Sequence, residues 1–291
     1  MAILSHRGIC VSDLEASTRF YKEALGFLDH ADHGVVEGEQ MARAMGLDDV
    51  RAKIRQLRHP DGPVIGLMQF LEPEASGKRE RRSTLQYGLV HLSFYVDDID
   101  AEVAKVVAAG GHAFDHTRAA SSDDMEMYYC TDPDGVRIEL MKATGVAPRF
   151  SHSGICVEDI DRSIAFYEEL GFELSDNYLL DDGFDWLAKI MEAPGIRLRA
   201  QMIQDSAGNM IELLKVFEPD CIGPRERQPI NRFGLTHLAF MAPEADTLTD
   251  RLASLGGTAY GDEHVDMGTV ELFQLSDPDG VRLELVKPVA D

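Results

Sequence analysis

The chain has 291 residues, of which 51 are Asp or Glu and 28 are Lys or Arg, so its net charge is −23 at pH 7. Such an acidic chain repels nucleic acid and anionic membranes, and it lacks an apolar run near the roughly 20 residues that span a bilayer. The N-terminus has no basic segment and long apolar core typical of a secretory signal. We therefore expect a cytoplasmic protein of two domains, with no nucleic-acid or membrane partner.

The first elements follow a strand–helix pattern. A strand is predicted over residues 6–11, and Ser12-Asp13 then stands where a helix cap is expected. Apolar residues at helical spacing continue to Leu25, and Gly26 is typical of a helix end. Further strands are expected to complete a βαβββ-like module.

A second module has the same order of elements. A strand is predicted over Val90 to Val96 and a helix over Ile99 to Ala109, and the sequence DPDG at Asp132 predicts a tight turn. The turn leads into a last strand, Val136 to Met141. The first half of the chain is therefore expected to hold two modules.

The second half of the chain is a copy of the first. The segment SHRGIC at Ser5 returns as SHSGIC at Ser151, GLVHLSF returns as GLTHLAF, and DPDGVRIEL returns as DPDGVRLEL. Gly and Pro in ATGVAPRF indicate a boundary between the halves. We expect an α+β fold of four βαβββ modules with mixed, curled sheets, divided into domains 1–145 and 146–291.

Two arrangements of the four modules are open. Modules that are consecutive in the chain usually pack together, which favours pairing within each half. The alternative exchanges partners, so that the first module pairs with the fourth and the second with the third. In that arrangement the polar residues discussed next would group as His6 with His237 and Glu284, and as His91 and Glu139 with His152 and Glu212.

Histidine and glutamate recur at matching positions of the two halves. Imidazole nitrogen and carboxylate oxygen suit divalent first-row metals, so we predict one or two ions per chain from among Ni, Co, Zn, Mn and Fe(II). Glu212 adds a further ligand that the first half lacks, because its repeat partner is Gly66. The candidate metal ligands are His6, His91, Glu139, His152, Glu212, His237 and Glu284.

These motifs carry a family resemblance along nearly the whole chain. SHxGIC, FYxEALGF, GLxHLxF and DPDGVRxEL resemble the vicinal oxygen chelate superfamily, which includes glyoxalase I, methylmalonyl-CoA epimerase, extradiol dioxygenases, and fosfomycin and bleomycin resistance proteins. The resemblance implies paired βαβββ modules that curl around a metal. It also implies ligands at the histidine and glutamate positions named above.

The resemblance favours a lyase or isomerase of the glyoxalase or epimerase type. Such an enzyme would act through a metal-chelated enediolate on a substrate with two vicinal oxygens, with Glu284 as the candidate base and Glu212 as the second. The alternative is an Fe(II) extradiol dioxygenase acting on a catecholic substrate, and a second alternative is a small-molecule binding protein without turnover. Glu212 favours the first, because it occupies the additional ligand position of the glyoxalase and epimerase members.

Four residues are candidates for contact with a small-molecule substrate. Arg197 and Arg199 alternate on one strand face and could line the mouth of the cavity. Trp186 could stack on a substrate, with a role in the core as the alternative, and Tyr129 matches a tyrosine position of the extradiol dioxygenases. The sequence leaves open whether the chain is a monomer or a homodimer.

Overall fold

The computed structural model describes residues 1–180 and 184–289 and consists of four consecutive modules. The first module contains β1 (Ile3–Cys10), α1 (Leu14–Leu25), β2 (Leu28–Glu37), α2 (Glu39–Met45), β3 (Arg51–Arg58) and β4 (Val64–Glu72). The second contains β5 (Gly88–Tyr95), α3 (Ile99–Ala108), β6 (His112–Ala113), a 3₁₀ turn (Asp115–Thr117), β7 (Ala119–Ser122), β8 (Met125–Thr131) and β9 (Arg137–Ala143).

The other two modules repeat this order. The third contains β10 (Arg149–Cys156), α4 (Ile160–Leu170), β11 (Glu173–Leu180), α5 (Asp185–Ile190), β12 (Arg197–Gln204) and β13 (Met210–Glu218). The fourth contains β14 (Gly234–Met241), α6 (Ala245–Ser254), β15 (Thr258–Asp266), β16 (Val270–Ser276) and β17 (Arg282–Pro288). No helix among these described elements is long and apolar enough to cross a membrane.

The local signals in the sequence predict the first helix well. The carboxylate of Asp13 accepts a hydrogen bond from the backbone N–H of Ala16 at 3.0 Å, which caps the start of α1. Gly26 ends the helix in the left-handed conformation with φ at 72°. The short helices α2 and α5 were not predicted, and each follows the second strand of its module.

The strands form two mixed sheets, which confirms the α+β fold class. An eight-stranded sheet has the order β15-β16-β17-β14-β1-β4-β3-β2. A nine-stranded sheet has the order β11-β12-β13-β10-β5-β9-β8-β6, with β7 paired to β8. The first module therefore shares a sheet with the fourth, and the second with the third. The expectation that the modules pair within each half is wrong.

The lengths of the connections explain this exchange. Only residues 144–148 separate β9 from β10, so the second and third modules join directly within one sheet. Residues 73–87 and 219–233 form the two longer connections, and each crosses from one sheet to the other. The crossing segments contact each other through bridges between Ser76 and Arg232 and between Gln86 and Ile222.

A shared core lies against one face of both sheets. Ile9 of β1 and Ile155 of β10 are fully buried in the same apolar cluster, together with Phe20 of α1 and Phe166 of α4. Because side chains alternate along a strand, the neighbouring residues of β1 and β10 face the opposite, concave side of each sheet. The polar residues predicted as ligands lie on those concave sides.

The exchanged pairing predicts how fragments behave. Residues 1–145 alone would keep β1 paired to β4 and β5 paired to β9 but would lack their antiparallel neighbours, β14 and β10, so one edge of each strand would be unpaired. We expect this fragment to aggregate or to dimerise, because unpaired central strands template association. Residues 88–218 keep every strand of the nine-stranded sheet and should retain more native secondary structure. Circular dichroism and analytical ultracentrifugation measure both properties, and a folded, monomeric 1–145 fragment would contradict the exchanged arrangement.

Candidate metal centre

Four potential ligands converge on the concave face of the nine-stranded sheet. They lie on its four adjacent central strands, Glu212 on β13, His152 on β10, His91 on β5 and Glu139 on β9. The Nε2 atoms of the two histidines are 3.2 Å apart, and an oxygen of Glu212 lies 3.5 Å from each of them. An oxygen of Glu139 lies 3.9 Å from His91 and 3.7 Å from His152.

A glycine makes room for one of the histidines. Gly154 of β10 lies opposite His91 of β5 in the antiparallel register. A Cβ atom on Gly154 would lie 2.1 Å from the Cε1 atom of His91, which is too short for any non-bonded contact. The imidazole therefore occupies the space that a side chain would take, and the small residue at this position fixes where the ring lies.

Hydroxyl groups orient two of the ligands. The hydroxyl of Ser93 donates to Glu139 at 2.7 Å, and that of Ser151 lies 2.9 Å from Nδ1 of His152. Partners of this kind fix the orientation of ligands around a metal. The Nδ1 atom of His91 is buried without a hydrogen-bond partner among the described residues.

Burial and charge act differently on the four groups. Burial lowers the pKa of His91 to about 3 and raises the pKa of Glu139 above its usual value. For Glu212 and His152 burial opposes the charged forms, but their mutual hydrogen bond and attraction outweigh it. The pKa of His152 is consequently raised and that of Glu212 is lowered, because each group stabilises the charged form of the other.

The arrangement fits a divalent metal ion. Two donors bound to one ion at the usual 2.0–2.2 Å are separated by roughly 3 to 3.5 Å, which matches the distances among His91, His152 and Glu212. These three residues place one donor atom each within 4.8 Å of the other two, and Glu139 lies within 4.0 Å of both histidines. Two imidazole nitrogens and two carboxylates suit several first-row ions.

The four ligands border a cavity of about 520 Å³. Tyr129 and Trp186, both predicted to contact a substrate, line it. The short helix α5 forms part of the wall through Trp186, Leu187 and Ile190. The other lining residues are mostly apolar, including Met125, Met127, Met141, Leu180, Leu198, Ala200, Met202 and Leu214.

The two arginines predicted at the mouth of the cavity lie elsewhere. Leu198 and Ala200 of β12 face the cavity, so the alternating residues Arg197 and Arg199 point to the other side of the sheet. Arg197 lies 3.5 Å from Glu218 and Arg199 lies 2.8 Å from Asp161 of α4. The shared face of the two arginines was predicted correctly, but the expectation that this face borders the cavity is wrong.

The eight-stranded sheet contains an incomplete version of the same cluster. The Nε2 atoms of His6 and His237 are 3.3 Å apart, and Gly66 stands where the other sheet has Glu212. The carboxylate of Glu284 accepts a hydrogen bond from Gln274 at 3.1 Å. Among the described residues, no ion pair within 4.0 Å joins Glu284 to either histidine. Burial raises the pKa of Glu284.

If the third and fourth modules paired with each other, their four candidate ligands would share one sheet. In the observed arrangement they are divided between the two sheets. His152 and Glu212 lie in the nine-stranded sheet, whereas His237 and Glu284 lie in the eight-stranded sheet. The choice of Glu284 as a base for the Glu212 site assumed that they share one centre. Glu139 instead completes the set around Glu212.

Sequence reasoning missed an acidic residue beside this centre. Glu192 follows α5, and its carboxylate contacts Arg81 at 2.5 Å, His116 at 2.7 Å and Arg137 at 3.0 Å. Arg137 lies over the ring of Tyr129 and is two residues before the ligand Glu139. The contact therefore ties α5 to the strand that carries a ligand. The sequence does contain a signal for Glu192. When the two halves are aligned, Glu192 stands opposite Gly46, so one half has a charged residue where the other has none.

The tight contact at Gly154 predicts the outcome of a single substitution. Gly154→Ala should displace His91 and weaken divalent-metal affinity by roughly 10- to 100-fold. Chelator competition on the purified protein measures this affinity.

A matched control lies in the other sheet. Gly8→Ala creates an equal clash, because a Cβ there would lie 2.0 Å from Cε1 of His237. This variant should leave the affinity of the four-ligand site unchanged. Equal losses in the two variants would contradict the assignment of the metal to the nine-stranded sheet.

Comparison with known proteins agrees with this fold. The model of the Glyoxalase/Bleomycin resistance protein/Dioxygenase superfamily matches residues 3–140 and 149–285. The glyoxalase I structure from Zea mays shares 18% identity with a TM-score of 0.68, covering 99% of this chain and 92% of that one. At this identity the structural likeness concerns the fold alone.

Two curated proteins are similar over part of the chain. Lactoylglutathione lyase of Schizosaccharomyces pombe is 27% identical over 188 residues, which cover 60% of this chain and 60% of that enzyme. The protein CFP32 of Mycobacterium bovis is 28% identical over 198 residues, covering 66% of this chain and 67% of the relative. These matches show relatedness, and they leave the reaction of this chain to be argued from its own residues.

Proposed function

The chain belongs to the Glyoxalase/Bleomycin resistance protein/Dioxygenase superfamily, and from that premise we propose that it is a metal-dependent lyase or isomerase of the glyoxalase type. Its substrate would carry two vicinal oxygens and lose a proton from the carbon beside a carbonyl group. The observation that supports this proposal is the convergence of His91, Glu139, His152 and Glu212 at the wall of one cavity.

The donor set determines what the centre could supply. A divalent ion held there would act as a Lewis acid towards substrate oxygens and stabilise the negative charge that develops as the proton leaves. The two histidines are neutral ligands in that state, and the two carboxylates balance the charge of the ion. The apolar walls exclude water, which strengthens electrostatic interactions within the cavity.

One of the carboxylates is the better candidate for moving the proton. Ser93 holds an oxygen of Glu139 through a 2.7 Å hydrogen bond. The described ion-pair partners of Glu212 are His91 and His152 alone. We therefore assign the proton-carrying role to a carboxylate oxygen of Glu212, with Glu139 as the second candidate. Glu212 borders the cavity, where its oxygen could reach the substrate carbon.

The shape of the cavity bears on the substrate. Tyr129 and Trp186 offer aromatic surfaces, and Arg149 and Asp176 are charged groups on the lining. A substrate with an apolar part and a polar end is therefore expected. The related lactoylglutathione lyase supports a thiol adduct of a 2-oxoaldehyde as the first compound to assay.

Ring cleavage and binding without turnover have less support. A ring-cleaving centre of the two-histidine, one-carboxylate type leaves more free positions on the metal than a set with two carboxylates. The resemblance to extradiol dioxygenases also implies a histidine several residues before Tyr129, where this chain has Ser121 and Ser122. Ser121 lines the cavity. A protein that only binds a small molecule would not need four converging ligands.

Proton exchange tests the proposal directly. Metal-loaded enzyme is incubated in D₂O with the thiol adduct of a 2-oxoaldehyde and with simple 2-hydroxyketones, and proton NMR follows exchange at the carbon next to the carbonyl. We expect exchange by the wild-type protein and a loss of roughly 10²- to 10⁴-fold in Glu212→Gln, because the base is removed.

Glu284→Gln is the control, since Glu284 is a buried carboxylate of the other sheet, where it is the counterpart of Glu139. It should retain the wild-type exchange rate. A rate in Glu284→Gln as low as in Glu212→Gln would contradict the assignment of the reaction to the four-ligand centre. Loss of substrate with consumption of oxygen would favour the dioxygenase instead.

A further inference from the structure

The internal repeat allows equivalent positions of the two sheets to be compared, and one such pair, Gly46 and Glu192, differs in charge. Gly46 follows α2 in the first module, and Glu192 occupies the equivalent position after α5 in the third. Both residues have a left-handed backbone, with φ at 67° for Gly46 and 55° for Glu192. The backbone is therefore conserved between the repeats, while a carboxylate is present in only one of them.

The carboxylate of Glu192 neutralises two arginines that both repeats contain. Its oxygens contact Arg81 at 2.5 Å and Arg137 at 3.0 Å. The repeat partners of these arginines are Arg227 and Arg282. The aromatic contact is repeated too, since Arg81 lies 3.7 Å from the ring centroid of Phe114 and Arg227 lies 4.1 Å from that of Tyr260.

Arg227 and Arg282 have no such counter-charge. Within the described part of the chain, neither guanidinium lies within 4.0 Å of a carboxylate. Both donate to the same neutral oxygen, Oε1 of Gln274, at 3.2 and 3.3 Å, and Arg282 also donates to the backbone oxygen of Met45 at 3.1 Å. The Nε atoms of both arginines are buried without hydrogen-bond partners.

The geometry at Gly46 shows where an anion would fit. A Cβ atom built on Gly46 would lie 3.2 Å from a terminal nitrogen of Arg227 and 3.8 Å from both terminal nitrogens of Arg282. Gly46 is exposed and Arg227 is half-buried, so the position is open to solvent, whereas only 5% of Arg282 is exposed. Burying a cation without a counter-charge costs free energy. An anion bound beside Gly46 would lower that cost for Arg282.

We propose that Arg227 and Arg282 form a binding site for the carboxylate group of a small organic acid, which lies over Gly46 in the place that the Glu192 side chain fills in the other sheet. Guanidinium groups bind carboxylates through paired, charge-assisted hydrogen bonds. The bound acid ties α2 to β17, as Glu192 ties α5 to β9. The site is separate from the four-ligand metal centre, and its occupation does not depend on the proposed reaction.

Thermal unfolding of the full chain tests this site. Acetate is the probe and replaces chloride at constant ionic strength. We expect a saturable rise in Tm of roughly 2 °C, because a ligand that binds only the native state stabilises it. Acetamide, which has the same shape without the charge, should have no effect.

Substitutions at the two equivalent positions sharpen the test. Gly46→Glu supplies the missing carboxylate, so its Tm should exceed that of Gly46→Gln, and acetate should no longer stabilise it. Glu192→Gly removes the carboxylate beside Arg81 and Arg137 in the nine-stranded sheet. Its Tm should be lower than that of the wild type, and acetate should partly restore it.

The results that would overturn the proposal are equally specific. They are an absence of acetate stabilisation in the wild type, or the same stabilisation in Gly46→Glu as in the wild type. Stabilisation by inorganic phosphate without any by acetate would overturn the assignment of a carboxylate ligand.

Discussion

The antiparallel pairing of β5 with β10 is the interaction on which the rest of this structure depends. It joins the second module to the third and sets His91 opposite Gly154, the residue whose missing side chain leaves room for the imidazole. The strands on either side, β9 and β13, then bring Glu139 and Glu212 to the same concave face. Without this pairing, the second and third modules would each carry only two of the four candidate ligands.

The same pairing is repeated between β1 and β14, but the eight-stranded sheet lacks acidic groups at two positions where the nine-stranded sheet has them. Gly66 stands in place of Glu212, and Gly46 stands in place of Glu192. The first difference leaves His6 and His237 without one of the carboxylates of a four-ligand set. The second leaves two arginines without a counter-charge. The two sheets therefore share one fold but differ in their charged groups, with a four-residue His and Glu cluster in one and two arginines without a carboxylate partner among the described residues in the other.

The sequence predicted the modules, the first helix with its cap, and the histidine and glutamate positions, because these depend on local spacing and on the internal repeat.

The sequence did not decide the pairing of modules, since four similar modules offer similar strand edges to each other. The short connection 144–148 favours direct pairing of the second and third modules, but the Gly and Pro within it also predict a boundary between domains. Strand alternation placed Arg197 and Arg199 on one face, yet only the packing against α4 shows that this face is outside the cavity. Glu192 was missed because a charge on a short helix end has no local pattern.

We propose that the second and third modules together form one complete metal centre. Anomalous scattering from crystals grown with a first-row metal, recorded above and below its absorption edge, would locate the ion. We expect a strong peak among His91, Glu139, His152 and Glu212, in contact with all four. A peak that joins His152 and Glu212 to His237 or Glu284, or the absence of any peak at the four-ligand position, would contradict it.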